Sequence, residues 1–293
     1  MTWNMASVNE MLHKGREYGY SIPDNVPFNF SEFKKKRDAE ILRTNGAYER
    51  NWAKEGIELI RGTASFTSPK ELEIILEDGS GTANVTAKHI CIATGGYPLI
   101  PSNVEGANLG ISSDGFFDIS VLPKKIAIVG AGYIAVELAG VLNALDVEVH
   151  LFIRGETFLR SFDPMIQTTM TKRYEDVGVI IHKNYKGFSK VEDLSTVDAN
   201  GISSNKNLKL TGVDGETIEV NELLWAIGRA PQTKSLALDK AGVKLNEKGY
   251  IAVDDFQNTS VEGIYALGDV TGQIELTPGK FAYIVYRRKS ANL

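Results

Sequence analysis

The sequence predicts an α/β fold, and three features in a row predict it. An apolar run, Ile126-Ala127-Ile128-Val129, leads into the turn Gly130-Ala131-Gly132-Tyr133-Ile134-Ala135; a helical stretch over 132–145 follows; a second apolar strand, Val147 to Ile153, closes the unit. Strand, glycine turn, helix and strand in that order make a βαβ crossover, which sets two parallel strands side by side with a helix packed over them. The chain is therefore read as a three-layer, Rossmann-like fold.

The remaining elements follow the same logic in chain order. The first ~60 residues read as helical, with Phe33, Ile41 and Leu42 set among charged residues and no strand-forming run. Short strands are expected at Ile57 to Ile60, Leu72 to Leu76 and Val85 to Ala93, with a hairpin-like turn at Asp78-Gly79. Ala93-Thr94-Gly95-Gly96-Tyr97-Pro98 stops the last of these, because glycine and proline turn the chain. A connector over 99–124 precedes the βαβ unit. After it come a helix over 165–176, a strand from Val179 to His182, a meander turning at Asp214-Gly215, and a closing strand from Leu223 to Ile227. At Gly228-Arg229-Ala230-Pro231 the chain leaves this domain. Gly263-Ile264-Tyr265-Ala266-Leu267-Gly268-Asp269 then reads as a buried strand that delivers an aspartate to a strand terminus, where ligands of α/β sheets sit.

The G-x-G-x-x-A turn carries the first functional expectation. Without side chains at its glycines, the backbone and the following helix N-terminus can approach a pyrophosphate. An NAD site places Asp or Glu at the end of the second strand for the ribose hydroxyls; here that place holds Ile153, followed by Arg154 and then Arg160. Two guanidinium groups suit the 2′-phosphate of NADPH. The alternative for the arginines is a solvated strand end. A membrane span over Ile126 to Leu145, where Glu137 is the one charged residue, is the alternative for the apolar run; its glycines, the preceding Lys124-Lys125 pair and the internal acid favour a strand plus a packed helix.

Bulk properties narrow the partners. At 293 residues the chain is long enough for about two domains with cores. A net charge of −5 offers no reason to expect nucleic acid or an anionic membrane. The basic run Lys34-Lys35-Lys36-Arg37, followed by Asp38 and Glu40, reads as a solvated helix face. The single cysteine, Cys91, excludes an internal disulfide and fits a reducing compartment; within Ile90-Cys91-Ile92-Ala93 it is expected to be a small buried hydrophobe. Met1-Thr2-Trp3-Asn4 shows neither the basic cluster nor the apolar core of a leader, so a cytoplasmic location is expected, with a mitochondrial form of the parent as the variant.

Taken in order, Ala93-Thr94-Gly95-Gly96, Gly130 to Gly140, Arg154 with Arg160, Trp225 to Pro231, and Gly268-Asp269 resemble the pyridine nucleotide disulfide oxidoreductases. Within them the likeness is to the fungal enzymes that reduce glutathione disulfide, and it runs from about Trp3 to Pro278. The resemblance implies a complete NADPH domain over 92–228 and the remnant of a discontinuous FAD domain over 1–91 and 229–278, with 279–293 a tail outside the family pattern. It implies that Tyr133 is the mobile ring over the nicotinamide pocket and that Glu137 bonds the carboxamide. Gly130, Gly132, Ile134, Ala135, Gly228 and Arg229 would line the same nucleotide. Thr63 and Ala64 would lie beside the FAD adenine, Thr94 and Gly95 beside the flavin nucleotide, and Asp269 would accept from its ribityl chain. Tyr48 and Asn51 match positions lining the glutathione disulfide cleft. The family works as a homodimer through an interface domain that this chain does not match. It also uses a redox-active cysteine pair and a histidine-glutamate pair, and with one cysteine this chain supplies no dithiol. The expectation is NADPH binding without turnover by this stretch alone. A relative acting on lipoamide is disfavoured, since it places an acid where Ile153 precedes Arg154.

Overall fold

A computed structural model describes residues 1–23, 26–197 and 203–273. The tail expected over 279–293, and Leu276-Thr277-Pro278 before it, lie outside the described residues. In chain order the helices are α1 (Thr2–Gly15), α2 (Phe30–Lys54), α3 (Ser113–Asp118), α4 (Tyr133–Asn143), α5 (Pro164–Asp176) and α6 (Leu238–Ala241). The strands are β1 (Gly62–Ser68), β2 (Glu71–Leu76), β3 (Thr82–Thr86), β4 (Ile90–Ile92), β5 (Gly96–Pro98), β6 (Ile111–Ser112), β7 (Lys125–Val129), β8 (Glu148–Phe152), β9 (Ile180–His182), β10 (Phe188–Asp193), β11 (Thr196–Val197), β12 (Ser203–Asn205), β13 (Leu208–Gly212), β14 (Thr217–Val220), β15 (Glu222–Trp225), β16 (Arg229–Pro231) and β17 (Ile264–Ala266). They divide into two compact units, Met1–Asn45 with Pro98–Gly228, and Gly46–Tyr97 with Arg229–Leu293.

The first unit is built on a parallel sheet of order β6-β15-β7-β8-β9. Its central strand β7 is apolar on both faces after Lys125, because both faces are covered. On one side Ile126, Ile128, Val149, Leu151 and Leu224 pack with Ala135, Leu138 and Leu142 of α4. On the other, Ala127, Val129, Phe152, Leu223 and Trp225 pack with Phe188, Leu208, Leu210 and Val220 of the antiparallel sheet β10-β13-β14. Helix α5 supports α4 through Tyr174, whose hydroxyl donates to the Val136 carbonyl at 2.9 Å. Gly140 admits that ring: a Cβ there would stand 2.6 Å from the Tyr174 oxygen.

The N-terminal helices differ from the expected segmentation, which groups residues 1–91 together. Met1–Asn45 clusters with Pro98–Gly228. Ala6 is buried in the α4 core cluster, and the Asn9 side chain donates to the Ala144 carbonyl at 2.8 Å. Arg37 corrects the reading of a solvated basic face: it is 5% exposed, donates to the Phe117 carbonyl at 2.5 Å, and is neutralised by Asp38 at 2.6 Å. A guanidinium leaves water at this low cost only with a carboxylate and a carbonyl both in place. Lys34 reaches the same Asp38 at 2.6 Å, so two bases share one acid, and together they hold its carboxyl below the usual range.

The second unit carries the antiparallel sheet β1-β2-β3 and the parallel pair β4 with β17, around a core that includes Phe66, Ile92, Ile251, Ile264 and Val270. The strand expected at Ile57 to Ile60 does not form. Those residues follow the end of α2, their side chains are exposed, and pairing begins only at Gly62 opposite Leu76. The hairpin turn at Asp78-Gly79 is present, with the Asp78 carboxylate accepting from the Ser80 amide at 2.9 Å. Cys91 is exposed instead of buried, because along β4 it points away from the face on which Ile92 joins the core. Among the described residues no helix is long and apolar enough to cross a membrane, and Ile126 to Leu145 is β7 followed by α4.

Candidate functional site

The carboxyl ends of the central strands line up in one row. Ser112 stands opposite Trp225, Trp225 opposite Val129, Val129 opposite Phe152, and Phe152 opposite His182. Every loop that leaves this row emerges at the same edge of the sheet. Strand order also reverses there: β15 and β8 flank β7 on opposite sides, which opens a crevice where ligands of such sheets bind.

The glycine turn sits in that crevice. Gly130 donates to the Phe152 carbonyl at 3.1 Å, and its φ of +151° disfavours any side chain. A Cβ at Gly130 would stand 2.2 Å from the Ala226 carbonyl oxygen, so the close passage of the two loops requires glycine. Gly132 is the opposite case. It is exposed, nothing lies within 4 Å of where its Cβ would be, and it is the N-cap of α4. The backbone N–H groups of the first turn of α4, at Tyr133 and Ile134, follow directly, and Ala135 is fully buried beneath them. Tyr133 and Glu137 lie one turn apart on this helix, and both are exposed.

The segment from Arg154 to Arg160 is tied down on three sides. Toward the glycine turn, the Leu159 amide donates to the Ala131 carbonyl at 2.7 Å, with Leu159 held at a φ of +57°. Toward β9, the Asn184 amide donates to the Gly155 carbonyl at 3.3 Å and its side chain to Glu156 at 2.5 Å. Toward α5, the Phe158 amide donates to the buried Thr171 hydroxyl at 3.4 Å, and Gln167 bonds Thr157, Arg160 and Phe162. Phe158 itself is fully buried. Arg154 and Arg160 are exposed, and neither forms an ion pair among the described residues. The geometry is two unneutralised guanidinium groups on a braced loop that is bonded directly to an open glycine turn. That combination can hold an anion at one end and a pyrophosphate at the other.

An aromatic stack lies under the same edge. The Phe152 and His182 rings are 4.1 Å apart and 4° from parallel, and Tyr185 meets Phe152 edge-on at 5.1 Å. His150 hydrogen-bonds His182 at 2.9 Å and Glu148 at 2.9 Å. Burial, and then the neighbouring His150, push the His182 imidazole below its ordinary pKa.

The other sequence-derived candidates fall elsewhere. Gly228 stands in the turn after β15 in the first unit, whereas Arg229 belongs to the second, where its guanidinium donates to the Gly96 carbonyl at 2.6 Å. Thr63 and Ala64 lie on β1 opposite Ile75 and Ile74. The Thr94 hydroxyl donates to the Gln232 carbonyl at 2.8 Å, and the Gly95 carbonyl accepts from the Gln232 amide at 2.9 Å. Asp269 is in the short turn Gly268–Thr271 that follows β17. Tyr48 and Asn51 are exposed on the C-terminal half of α2, the Tyr48 ring 6.3 Å from that of Trp52. Sequence reasoning does not single out Thr157, Gln167 or Asn184. For Gln167 the one signal is Asp163-Pro164, an N-cap followed by a first-position proline, which starts a helix just after Arg160 and brings its first turn beside the loop.

A glycine turn at the switch point of a parallel sheet, facing a loop with two arginines, is the arrangement of a dinucleotide-binding domain. The chain belongs to the pyridine nucleotide-disulphide oxidoreductase family, whose profile matches residues 5–281. Among its relatives, glutathione reductase of Schizosaccharomyces pombe is 46% identical over 94% of this chain, and that of Yarrowia lipolytica is 42% identical over 94%. The chain spans 58% of the length of either. The fold is shared with the HOCl-induced flavoprotein disulfide reductase RclA from Escherichia coli, solved as its Cu(II) complex, at a TM-score of 0.79 and 23% identity, over 98% of this chain and 60% of that one.

Proposed function

We propose that this chain is the NADPH-binding stretch of an NADPH-dependent flavoprotein that reduces glutathione disulfide. The observation that carries the reading is the Arg154–Arg160 loop, bonded to the glycine turn through Leu159 and Ala131. Three relatives at 42–46% identity carry the name glutathione reductase.

The residues present fit a bound NADPH on the geometry of the turn. The space that a side chain at Gly132 would occupy is open, and the N-terminus of α4 faces it, which suits the pyrophosphate. Arg154 and Arg160 would bond the 2′-phosphate, with Ile153 offering no carboxylate to the ribose of NADH. Tyr133 and Glu137, on the exposed face of α4, would cover the nicotinamide and orient its carboxamide. Gly228, in the turn after β15, would flank the same nucleotide.

For FAD, the second unit offers the turn Thr94-Gly95, fixed by Gln232, and Asp269 in the turn after β17, with Thr63 and Ala64 as paired residues of β1. Bound FAD supplies the acceptor for the nicotinamide hydride and a donor of electrons to a disulfide. Tyr48 and Asn51 would contribute to the glutathione disulfide cleft. Because this stretch has one cysteine, the dithiol relay belongs to the rest of the protein, together with the partner subunit of a homodimer.

The test is a fluorescence titration of NADPH and NADH against the chain and against Arg154→Ala with Arg160→Ala. A charge-assisted bond contributes roughly 1.5 to 3 kcal/mol, about one to two decades each, so loss of the pair should cost about a hundredfold or more in NADPH affinity. NADH affinity should hold. A double variant that keeps its preference for NADPH would overturn the assignment.

A further inference from the structure

Two arginines on a surface loop select a phosphate only if the loop holds them where the phosphate arrives. An Arg side chain has many rotamers, and ordering its backbone on binding would use up much of what its bonds contribute. The loop from Arg154 to Arg160 has a dedicated brace. Gln167, half-buried in the first turn of α5, accepts from the Thr157 hydroxyl at 3.0 Å through Oε1. Through Nε2 it donates to the Phe162 carbonyl at 2.8 Å and to the Arg160 carbonyl at 3.4 Å. An amide is suited to this place, because it presents an acceptor and two donors in one plane.

The bonds fall on both sides of Arg160 and on Arg160 itself. Between them Leu159, at a φ of +57°, donates to the Ala131 carbonyl of the glycine turn. The Arg160 backbone is thus fixed with respect to both α5 and the turn expected to hold the pyrophosphate. We infer that Gln167 is a positioning residue for nucleotide selection: it presets the Arg160 backbone for the 2′-phosphate without touching the nucleotide. This rests on the NADPH reading above. Its signature is asymmetric. Loss of the brace weakens the nucleotide that carries a 2′-phosphate and leaves the one that lacks it unchanged.

The experiment titrates NADPH and NADH against the 293-residue chain, Gln167→Ala, Gln167→Glu, Arg160→Ala, and Gln167→Ala combined with Arg160→Ala. Alanine is a strong helix former, so α5 is retained. The expected result for Gln167→Ala is a loss of about three- to tenfold in NADPH affinity, the worth of one to two hydrogen bonds, with NADH affinity held within about twofold. Gln167→Glu keeps the size and the Thr157 acceptor but removes both donors, and should lose NADPH selectivity as well. In the Arg160→Ala background, Gln167→Ala should add little, because its effect acts through that arginine. Equal losses for both nucleotides, no loss in either variant, or full additivity with Arg160→Ala would each overturn the inference. The Arg154→Ala with Arg160→Ala pair separates the two readings. Unchanged NADPH preference there overturns the cofactor assignment and this role with it, whereas preference lost there but intact in Gln167→Ala overturns the role of Gln167 alone.

Discussion

Gly130 and Gly132 stand two residues apart and answer to different demands. At Gly130 the positive φ and the Ala226 carbonyl, 2.2 Å from a would-be Cβ, mean that even one methyl group forces the two loops apart. Gly132 has an ordinary φ of −90° and open space around it. Gly130→Ala should therefore lower the thermal midpoint, at a cost of about 2 kcal/mol or more, because strain and overlap combine. Gly132→Ala should leave the midpoint nearly unchanged while weakening NADPH, since its methyl group enters only the space proposed for the pyrophosphate. Thermal unfolding and titration of the two variants check this, and a midpoint that drops equally in both would contradict the division of labour. The motif was readable in the sequence, but this division was not. Which glycine meets a carbonyl and which faces open space depends on the neighbouring strand β15, nearly a hundred residues further along the chain.

At the scale of elements, β8 and β9 bring His150 and His182 together. The alternation of β8 sends Glu148, His150 and Phe152 to the face covered by the antiparallel sheet, while Val149 and Leu151 meet α4. The charged groups around the pair are Glu148, which bonds His150, and Lys125 of β7, which bonds Glu148 at 2.9 Å; His150 and then Lys125 hold the Glu148 carboxyl below its usual range. One ring must donate to the other, and His182 is depressed by burial and by that neighbour. The unfolded chain takes up a proton near the ordinary value of 6.5, where the folded chain resists it. Stability from this source is thus fully present above pH 6.5 and is lost as pH falls toward the folded pKa. His182→Gln should flatten the decline in thermal midpoint between pH 6.5 and about 5; a decline as steep as in the parent chain would show that the pair is not its source. Strands β2, β7, β8, β9, β15 and β17 were legible from apolar runs and turn residues, whereas β1 and β6 were not, and the run from Val85 to Ala93 divides between β3 and β4. What escaped was orientation and partnership: Ile57 to Ile60 has the composition of a strand but no neighbour to pair with, Cys91 sits in an apolar run yet points outward, and Arg37 lies in a basic run yet turns inward to Asp38 and Phe117.

At the scale of the whole chain, the two units are built on different foundations. The first covers both faces of a five-stranded parallel sheet with separate apolar clusters, whereas the second gathers one cluster around a three-stranded sheet and a two-stranded pair. Opening free energies follow such differences in buried contact, so the second unit should yield to denaturant first. The chain already contains a way to watch this. Of its three indoles, Trp3 and Trp52 are 68% and 40% exposed, while Trp225 is 2% exposed and donates to the Ala107 carbonyl at 2.8 Å. Light emitted at the blue edge therefore comes from Trp225 and reports on the first unit, and the red edge comes from the two wet rings. In a guanidinium titration the blue-edge signal should outlast part of the far-ultraviolet circular dichroism; coincident curves would mean a single cooperative transition. Because Trp225 ends the strand beside the glycine turn, a docked dihydronicotinamide, whose absorption overlaps indole emission, should quench that blue component by resonance energy transfer, so that the dye-free protein becomes its own optical gauge of occupancy.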